Sequence, residues 1–347
     1  MTRLGIGFIS IFTTKEEGPI VEDLIRLGVK SYIVKERGFL GLRYIQTFLK
    51  ILKSEKVDLL HLNTLTPFCK YAGIAGFLRR IPIVWVVREN PLISRSRRLK
   101  FWLRLLSSKI LFVDKDTREK LLGSEMNGNV EVIYNGVDVD TFRPFESKLL
   151  FNMFNIDFNE RLIGYVGLIT RRKGLEYLVR ALSIVKKDYG RSKLIIIGGY
   201  KNTDEAYFLE IKNLIKELSL EKDVYFTGVL SDIREALSSL DVVVLPSLEE
   251  RCSRSLLESL ASAKAAIATR VGGTPEIIEH ETSGLLVNPR NEEEIAEGIL
   301  RLLLDNKLRQ KIEKNGRLRA EEIFNIKNYI NKMRSLYLSL NNPKCNP

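Results

Sequence analysis

The sequence predicts an α/β protein built from two doubly wound, Rossmann-like domains. Three observations predict it. The chain has 347 residues, more than one hydrophobic core usually serves. Short apolar runs alternate with longer amphipathic ones along its whole length. The alternation also falls into two successive rounds.

In the first round the strand-like runs are residues 4–9, 31–34, 57–62, 83–87, 110–113 and 130–133. Between them lie helical patterns such as Leu42, Ile45, Phe48, Leu49 and Leu52, spaced three and four apart. The second round runs through residues 162–166, 194–197, 224–226, 242–245, 266–269 and 285–287. Unbroken apolar strands separated by helices imply parallel sheets covered on both faces. The expected division is residues 1–145, 146–325 and a closing helix and tail over 326–347, since Arg143-Pro144 opens a stretch without clear period. Two doubly wound domains are expected to face a cleft at the carboxyl ends of their strands, where a ligand belongs.

Composition narrows the function. With 45% hydrophobic and 28% charged residues the chain is globular. Its longest apolar runs, residues 81–87 and 194–199, fall far short of the roughly 18–20 residues a membrane span needs. Lys15, Glu16 and Glu17 follow soon after the first strand, unlike a secretory signal. Three scattered cysteines and two histidines give no disulfide framework or metal-ligand spacing, and a reducing cytoplasm fits. Residues 1–150 carry 25 Lys and Arg against 16 Asp and Glu, while the remainder carries 30 against 27. The basic first half is expected to meet an anionic surface or acceptor. Nucleic acid is not expected, because no basic recognition helix, zinc finger or paired aromatic RNA signature is present.

The densest chemistry is Leu245-Pro246-Ser247-Leu248-Glu249-Glu250-Arg251-Cys252-Ser253-Arg254-Ser255-Leu256-Leu257-Glu258. A buried strand ends at Leu245, a polar loop follows, and a helix starts near residues 253–255. Free backbone N–H groups at such a start attract a diphosphate. Glu250 in the loop is placed to accept from sugar hydroxyls, and Glu258 to hold a ribose diol. The competing reading is that Ser255-Leu-Leu-Glu258 is a capping box and serves only the helix. A second anion-binding turn, Gly167-Leu168-Ile169-Thr170-Arg171-Arg172-Lys173-Gly174, follows the first strand of the second round. Lys173 reaches phosphate there, unless the segment is simply a solvated basic turn.

Pro246-Ser247-x-x-Glu250-x7-Glu258 resembles the Glu-x7-Glu motif of the retaining GT-B glycosyltransferases of glycosyltransferase family 4. Ile133-Tyr134-Asn135-Gly136-Val137-Asp138, with Phe142 and Pro144, is similar to that family's interdomain signature. Lys173-Gly174, Val224-x-Phe226-x-Gly228, Val271-Gly272-Gly273-Thr274-Pro275-Glu276 and Gly284-Leu285-Leu286-Val287 follow in family order. The resemblance implies a GT-B fold whose last helix returns to the N-terminal domain. It also implies transfer of a hexosyl group, with retention, from a UDP- or GDP-sugar to a glycan or lipid-linked acceptor, without a metal. Lys173 would contact the donor diphosphate, Glu258 the ribose and Glu250 the transferred sugar. Gly167, Gly198, Cys252, Ser253, Arg254 and Ser255 would complete the donor cradle, and Gly228, Val229 and Leu230 the base pocket. Asp138-Val139-Asp140 is explained as a turn rather than a metal motif.

The chain departs from the family pattern at four places. Leu168 stands where arginine is common, with Arg171 or Arg172 available to compensate. Arg251, Cys252 and Ser253 stand for Gly-Phe-Gly, and Ala263 for glycine. Arg88 follows the strand at 83–87 where a histidine is common, either serving sugar and acceptor or pairing with Glu89 or another neighbour. His61 matches another family histidine, or is a hydrogen-bonded strand-end residue. The acceptor loop over residues 11–18 offers only Gly18. These departures motivate an alternative, a non-catalytic GT-B-fold binding partner of another glycosyltransferase. A sugar-nucleotide epimerase is a third reading. Residues 95–109 combine six cations with Leu, Phe and Trp, as in a helix lying on an anionic membrane surface, or in an ordinary helix packed on its sheet.

Overall fold

The computed structural model describes residues 7, 9–14, 19–35, 41–88, 97–123 and 128–341. The chain divides into two compact units. Residues 1–111, 126–131 and 333–347 form the first, and residues 112–125 and 132–332 the second.

The first unit holds strands β1 (Ile9–Thr14), β2 (Lys30–Lys35), β3 (Leu60–Leu62) and β4 (Ile83–Val87), and helices α1 (Pro19–Arg26), α2 (Gly41–Ser54), α3 (Pro67–Leu78) and α4 (Arg97–Leu106). Strands β5 (Lys109–Phe112) and β6 (Val130–Val132) run on from it, and helix α5 (Lys115–Leu122) lies between them in the chain. β1 and β2 pair in parallel, and β3-β4-β5-β6 form a four-stranded sheet. The first strand was expected at residues 4–9. Residues 4–6 and 8 of that run lie outside the described residues, and the described strand covers Ile9–Thr14, where Ile9 pairs with Lys30. All five residues of β4 are buried. Helix α3 approaches β3 and β4 on a stripe of Ala72, Gly73, Ala75 and Gly76. A Cβ on Gly76 would sit 2.9 Å from Leu60 and 3.1 Å from Ile83, so the glycine sets the helix–sheet distance.

The second unit contributes α6 (Leu149–Phe154), β7 (Arg161–Val166), α7 (Leu175–Asp188), β8 (Ser192–Ile197), α8 (Glu205–Glu217), β9 (Val224–Gly228), α9 (Arg234–Ser238), β10 (Val242–Leu245), α10 (Arg254–Ala261), β11 (Ala265–Thr269), α11 (Thr274–Ile277), β12 (Leu285–Val287), α12 (Glu292–Leu304) and α13 (Asn306–Glu322). Its six strands lie in the order β12-β11-β10-β7-β8-β9, with parallel pairing throughout. Both faces are apolar, as the unbroken runs predict. Along β8, Leu194 and Ile196 pack under α7 and α12, while Ile195 and Ile197 pack on the α6 and α9 side. Strand order reverses between β7 and β10, which makes the carboxyl ends of these two strands the crevice where doubly wound sheets bind ligands.

Helix α14 (Ile326–Leu340) closes the chain. It starts where the Ile326 amide donates to the Val137 carbonyl at 2.8 Å and the Val137 amide to the Phe324 carbonyl at 2.7 Å. A Cβ on Gly136 would lie 2.6 Å from the Ile326 Cα, so the Asn135-Gly136 pair makes room for this crossing. From Met333 onward the helix belongs to the first unit.

Candidate active site

The loops after β7 and β10 are laced together at the strand-order reversal. The Leu248 amide donates to the Arg172 carbonyl at 2.8 Å. Gly174 takes a left-handed φ of 62°, and a Cβ there would lie 2.3 Å from the Pro246 carbonyl oxygen. Only glycine meets both demands. The hydroxyl of fully buried Tyr165 donates to the Leu168 carbonyl at 2.6 Å, fixing the turn that carries Lys173. Lys173 is itself buried, and its ammonium donates to Glu250 Oε2. Ser247, fully buried, donates to the same oxygen at 3.0 Å. The Arg251 amide donates to Glu250 Oε1 at 3.3 Å. Lys173 and Glu250, 77 residues apart in sequence, thus form one preorganised charged pair. Arg171 faces elsewhere, bonded to both carboxylate oxygens of Glu210 at 2.7 Å and lying over the Tyr207 ring.

Helix α10 begins beside this pair. Ser253 is its N-cap and accepts from the Leu256 amide. Ser255 therefore lies inside the first turn, and Glu258 is two residues beyond the position a capping-box glutamate must hold. The capping reading of Glu258 fails on this register. Glu258 is partly buried, its backbone carbonyl accepts from the Ser262 amide, and its carboxylate makes no hydrogen bond to another described residue. Burial raises its carboxyl pKa, opposed in part by the charge of Arg254. The first-turn N–H groups have no intrahelical acceptor. Just before them, Asn135 Nδ2 donates to the Cys252 carbonyl at 3.0 Å, and the Ser253 and Ser255 hydroxyls lie 3.2 Å apart.

Three glycines meet at the carboxyl ends of β7, β8 and β9. The Gly198 amide donates to the Gly228 carbonyl at 3.0 Å, and the Gly167 amide to the Ile197 carbonyl at 3.0 Å. A Cβ on Gly198 would lie 2.0 Å from the Gly167 carbonyl oxygen. Beyond Gly228 the surface is open: Val229 is 79% exposed, while Leu230 packs against the core. Gly167, Lys173, Gly198, Gly228, Val229, Leu230, Glu250, Cys252, Ser253, Arg254, Ser255 and Glu258 all belong to the second unit, with Lys173 joined to Glu250, and Gly198 to Gly167 and Gly228.

His61 and Arg88 belong to the first unit. The His61 ring meets the Tyr337 hydroxyl through Nδ1. Burial, and secondarily the charge of Arg88, lowers its pKa to about 4, so the imidazole is neutral at pH 7. Arg88 Nε donates to Asn63 Oδ1 at 2.8 Å. Gly18 and Glu89 lie outside the described residues. Among the described residues, no group of three or more His, Cys, Asp and Glu is gathered as a metal-ligand set.

Sequence reasoning passed over two contributors. Ser247, a member of the sequence motif only by position, is one of them: its buried hydroxyl holds the Glu250 carboxylate. The Gly272-Gly273 pair is the other, its backbone packing directly on that of Glu250 and Arg251. A Gly-Gly pair three residues beyond a buried strand is the signal that marks them.

The family model for glycosyl transferases group 1 matches residues 147–319, and that for glycosyltransferase family 4 matches residues 7–141. The chain belongs to this family of glycosyltransferases. An uncharacterized glycosyltransferase of Methanocaldococcus jannaschii is 30% identical over 67% of this group 1 glycosyltransferase and 60% of its own length. The N-acetyl-alpha-D-glucosaminyl L-malate synthase of Bacillus anthracis is 23% identical, over 83% of this chain and 76% of its own. Among solved structures, Anabaena HepE in complex with UDP superposes with a TM-score of 0.86 at 20% identity. That match covers 95% of this glycosyltransferase and 92% of HepE. A glycosyltransferase from Rickettsia africae gives 0.85 at 22%, over 98% and 91%. These likenesses establish the GT-B fold, with its two Rossmann-like domains.

Proposed function

We propose that this glycosyltransferase moves a hexosyl group from a nucleotide-diphosphate sugar to a glycan or lipid-linked acceptor, with retention and without a metal. The observation that carries the donor half is the buried Lys173–Glu250 pair beside a helix start and an unpartnered Glu258 carboxylate. In this reading Lys173 and the amides of Ser253, Arg254 and Ser255 meet the diphosphate as charge builds on it. Glu258 takes the ribose diol, which compensates its desolvation. Glu250 orients the sugar and favours its developing positive charge. Gly228, Val229 and Leu230 line the base. His61 and Arg88 serve the sugar and acceptor, with Gly18 in the acceptor loop. The acceptor attacks on the face the diphosphate leaves, with no covalent intermediate. A UDP-sugar is favoured because HepE is described with UDP and UDP-glucose, and an Escherichia coli relative is named a UDP-Gal transferase.

Thermal stabilisation by UDP-, GDP- and ADP-sugars tests the donor half. A ligand at about 100 times its Kd adds roughly 2.7 kcal/mol, and one nucleotide class is expected to do so. Lys173→Ala and Glu258→Ala are expected to abolish the shift. The two also differ without ligand. A carboxyl with a raised folded-state pKa weakens the fold above that pKa and leaves it unaffected below the unfolded value. Glu258→Ala should therefore leave the unliganded melting temperature level or higher at pH 7, whereas a capping glutamate would lower it. No shift with any donor would favour the non-catalytic binding partner.

For the acceptor half we propose contact with an anionic membrane surface through residues 95–109. No helix among the described residues is long and apolar enough to cross a membrane. On α4, Leu103 and Leu106 are buried, but Phe101 is 58% and Leu105 44% exposed, with Arg98 and Arg104 exposed beside them. The protein is expected to float with anionic vesicles at low salt and to leave them at high salt. Absence of flotation at low salt would reject this contact.

A further inference from the structure

Arg251 directly follows the glutamate proposed to hold the sugar, yet its guanidinium is engaged elsewhere. Nη1 donates to Thr117 Oγ1 at 3.3 Å, and Nε is buried with no hydrogen-bond partner. Thr117 is fully buried in the first turn of α5. Its amide donates to Asp114 Oδ1 at 2.6 Å, the cap of that helix, and Asp114 Oδ2 is also buried without a partner. Burial raises the Asp114 carboxyl pKa; hydrogen bonds from Thr117 oppose this most, and the nearby charge of Arg251 opposes it less. Glu276 closes the same helix end, accepting from the Lys115 amide at 2.8 Å, the Asp116 amide at 3.2 Å and the Tyr134 hydroxyl at 2.8 Å. Gly273 fills the remaining space: a Cβ there would lie 2.7 Å from Asp114 Cβ and 2.8 Å from the Arg251 carbonyl oxygen.

The loop is thus gripped at two neighbouring residues. The Glu250 carboxylate is held by Lys173 and Ser247, and the next side chain by the α5 start. An arginine serving the diphosphate as a counter-charge would aim its guanidinium at the helix start of α10. This one donates to Thr117, with Asp114 close by. A long side chain immobilised in this way carries its own backbone with it, and that backbone includes the amide bonded to Glu250 Oε1.

We infer that Arg251 is a positioning residue, which fixes the Glu250 loop by anchoring on Thr117 beside Asp114 and touches neither substrate. The inference rests on the reading of Glu250 as the sugar-binding carboxylate.

Hydrogen exchange over residues 248–254 of the full-length protein, without ligand, tests the anchor alone. Arg251→Met and Thr117→Val are each expected to speed exchange there by about tenfold, the scale of one buried hydrogen bond, with Arg251→Lys in between. In turnover, Arg251→Met should lower kcat with the donor KM within about twofold, because the carboxylate is misaligned rather than removed. The Arg251→Met/Thr117→Val double variant should be no slower than Arg251→Met, since both changes cut one link. Wild-type exchange in folded Arg251→Met and Arg251→Lys overturns the inference. So does a raised donor KM at unchanged kcat with Thr117→Val silent, which would place Arg251 on the substrate. If the wild type neither binds nor turns over a donor, the functional reading fails while the exchange result still decides the anchor.

Discussion

Glu250→Gln is expected to lower kcat by about 100- to 1,000-fold, the range for removing one preorganised polar group from a reaction centre. The same change should also weaken the fold. Lys173 and Glu250 are about 10% and 9% exposed at their side chains, so neither charge is well hydrated. Removing one partner of such a pair leaves the other charge uncompensated, at about 3–5 kcal/mol. Loss of activity could then be mistaken for loss of structure. The paired substitution Lys173→Met/Glu250→Leu separates the two, because replacing a buried ion pair by apolar groups is often neutral or stabilising. We expect the double variant to regain most of its melting temperature and none of its activity. Steady-state kinetics alongside thermal unfolding decides the matter. Recovery of kcat in the double variant, or wild-type turnover by Glu250→Gln, would remove Glu250 from the reaction.

The second unit was more legible than the first because its central strands are buried on both faces. A run such as Leu194-Ile195-Ile196-Ile197 feeds two separate core layers, so its sequence is apolar without interruption. β10 and β12 coincide with the runs at residues 242–245 and 285–287. β1 is different. Its described part, Ile9–Thr14, mixes polar Ser10, Thr13 and Thr14 with apolar residues, and it is held by parallel pairing with β2, which no local pattern announces. β3 is three residues rather than six, because only the segment opposite Ile83, Val84 and Trp85 is paired.

The site was legible where one segment carries the chemistry and illegible where distant segments converge. The motif from Pro246 to Glu258 announces a loop and a helix start, but helix register decides between capping and ligand binding. That register was visible only once Ser253 was seen to be the cap. The rivalry between Arg171 and Arg172 could not be settled from sequence either. Glu210, which takes Arg171 out of the site, lies 39 residues away on α8. For His61 the partner is more remote still: Tyr337 is 276 residues further along the chain. That contact agrees with a hydrogen-bonded strand-end residue.

Gly272→Ala should damage the site as severely as a change to a charged residue, although the glycine presents no functional group. Its φ is +52°, a conformation that alone disfavours alanine by about 1 kcal/mol. The added Cβ would lie 1.8 Å from the Glu250 carbonyl oxygen and 2.9 Å from its carbonyl carbon. Both neighbours are backbone, so no side chain can rotate aside. Either the turn after β11 or the Glu250 loop must move by more than about 1 Å, and a misplacement of that size can cost about 100-fold in rate. We expect kcat to fall by at least that factor, with faster hydrogen exchange over residues 248–254 and a lower melting temperature. Gly190→Ala supplies the control. No atom lies within 4 Å of its added Cβ and its φ is not positive, so it should be silent or stabilise by about 0.4–1 kcal/mol. If Gly272→Ala turned over as fast as Gly190→Ala, the packing of this turn against Glu250 would have no part in holding the carboxylate, and the two-sided grip on the loop would fail with it.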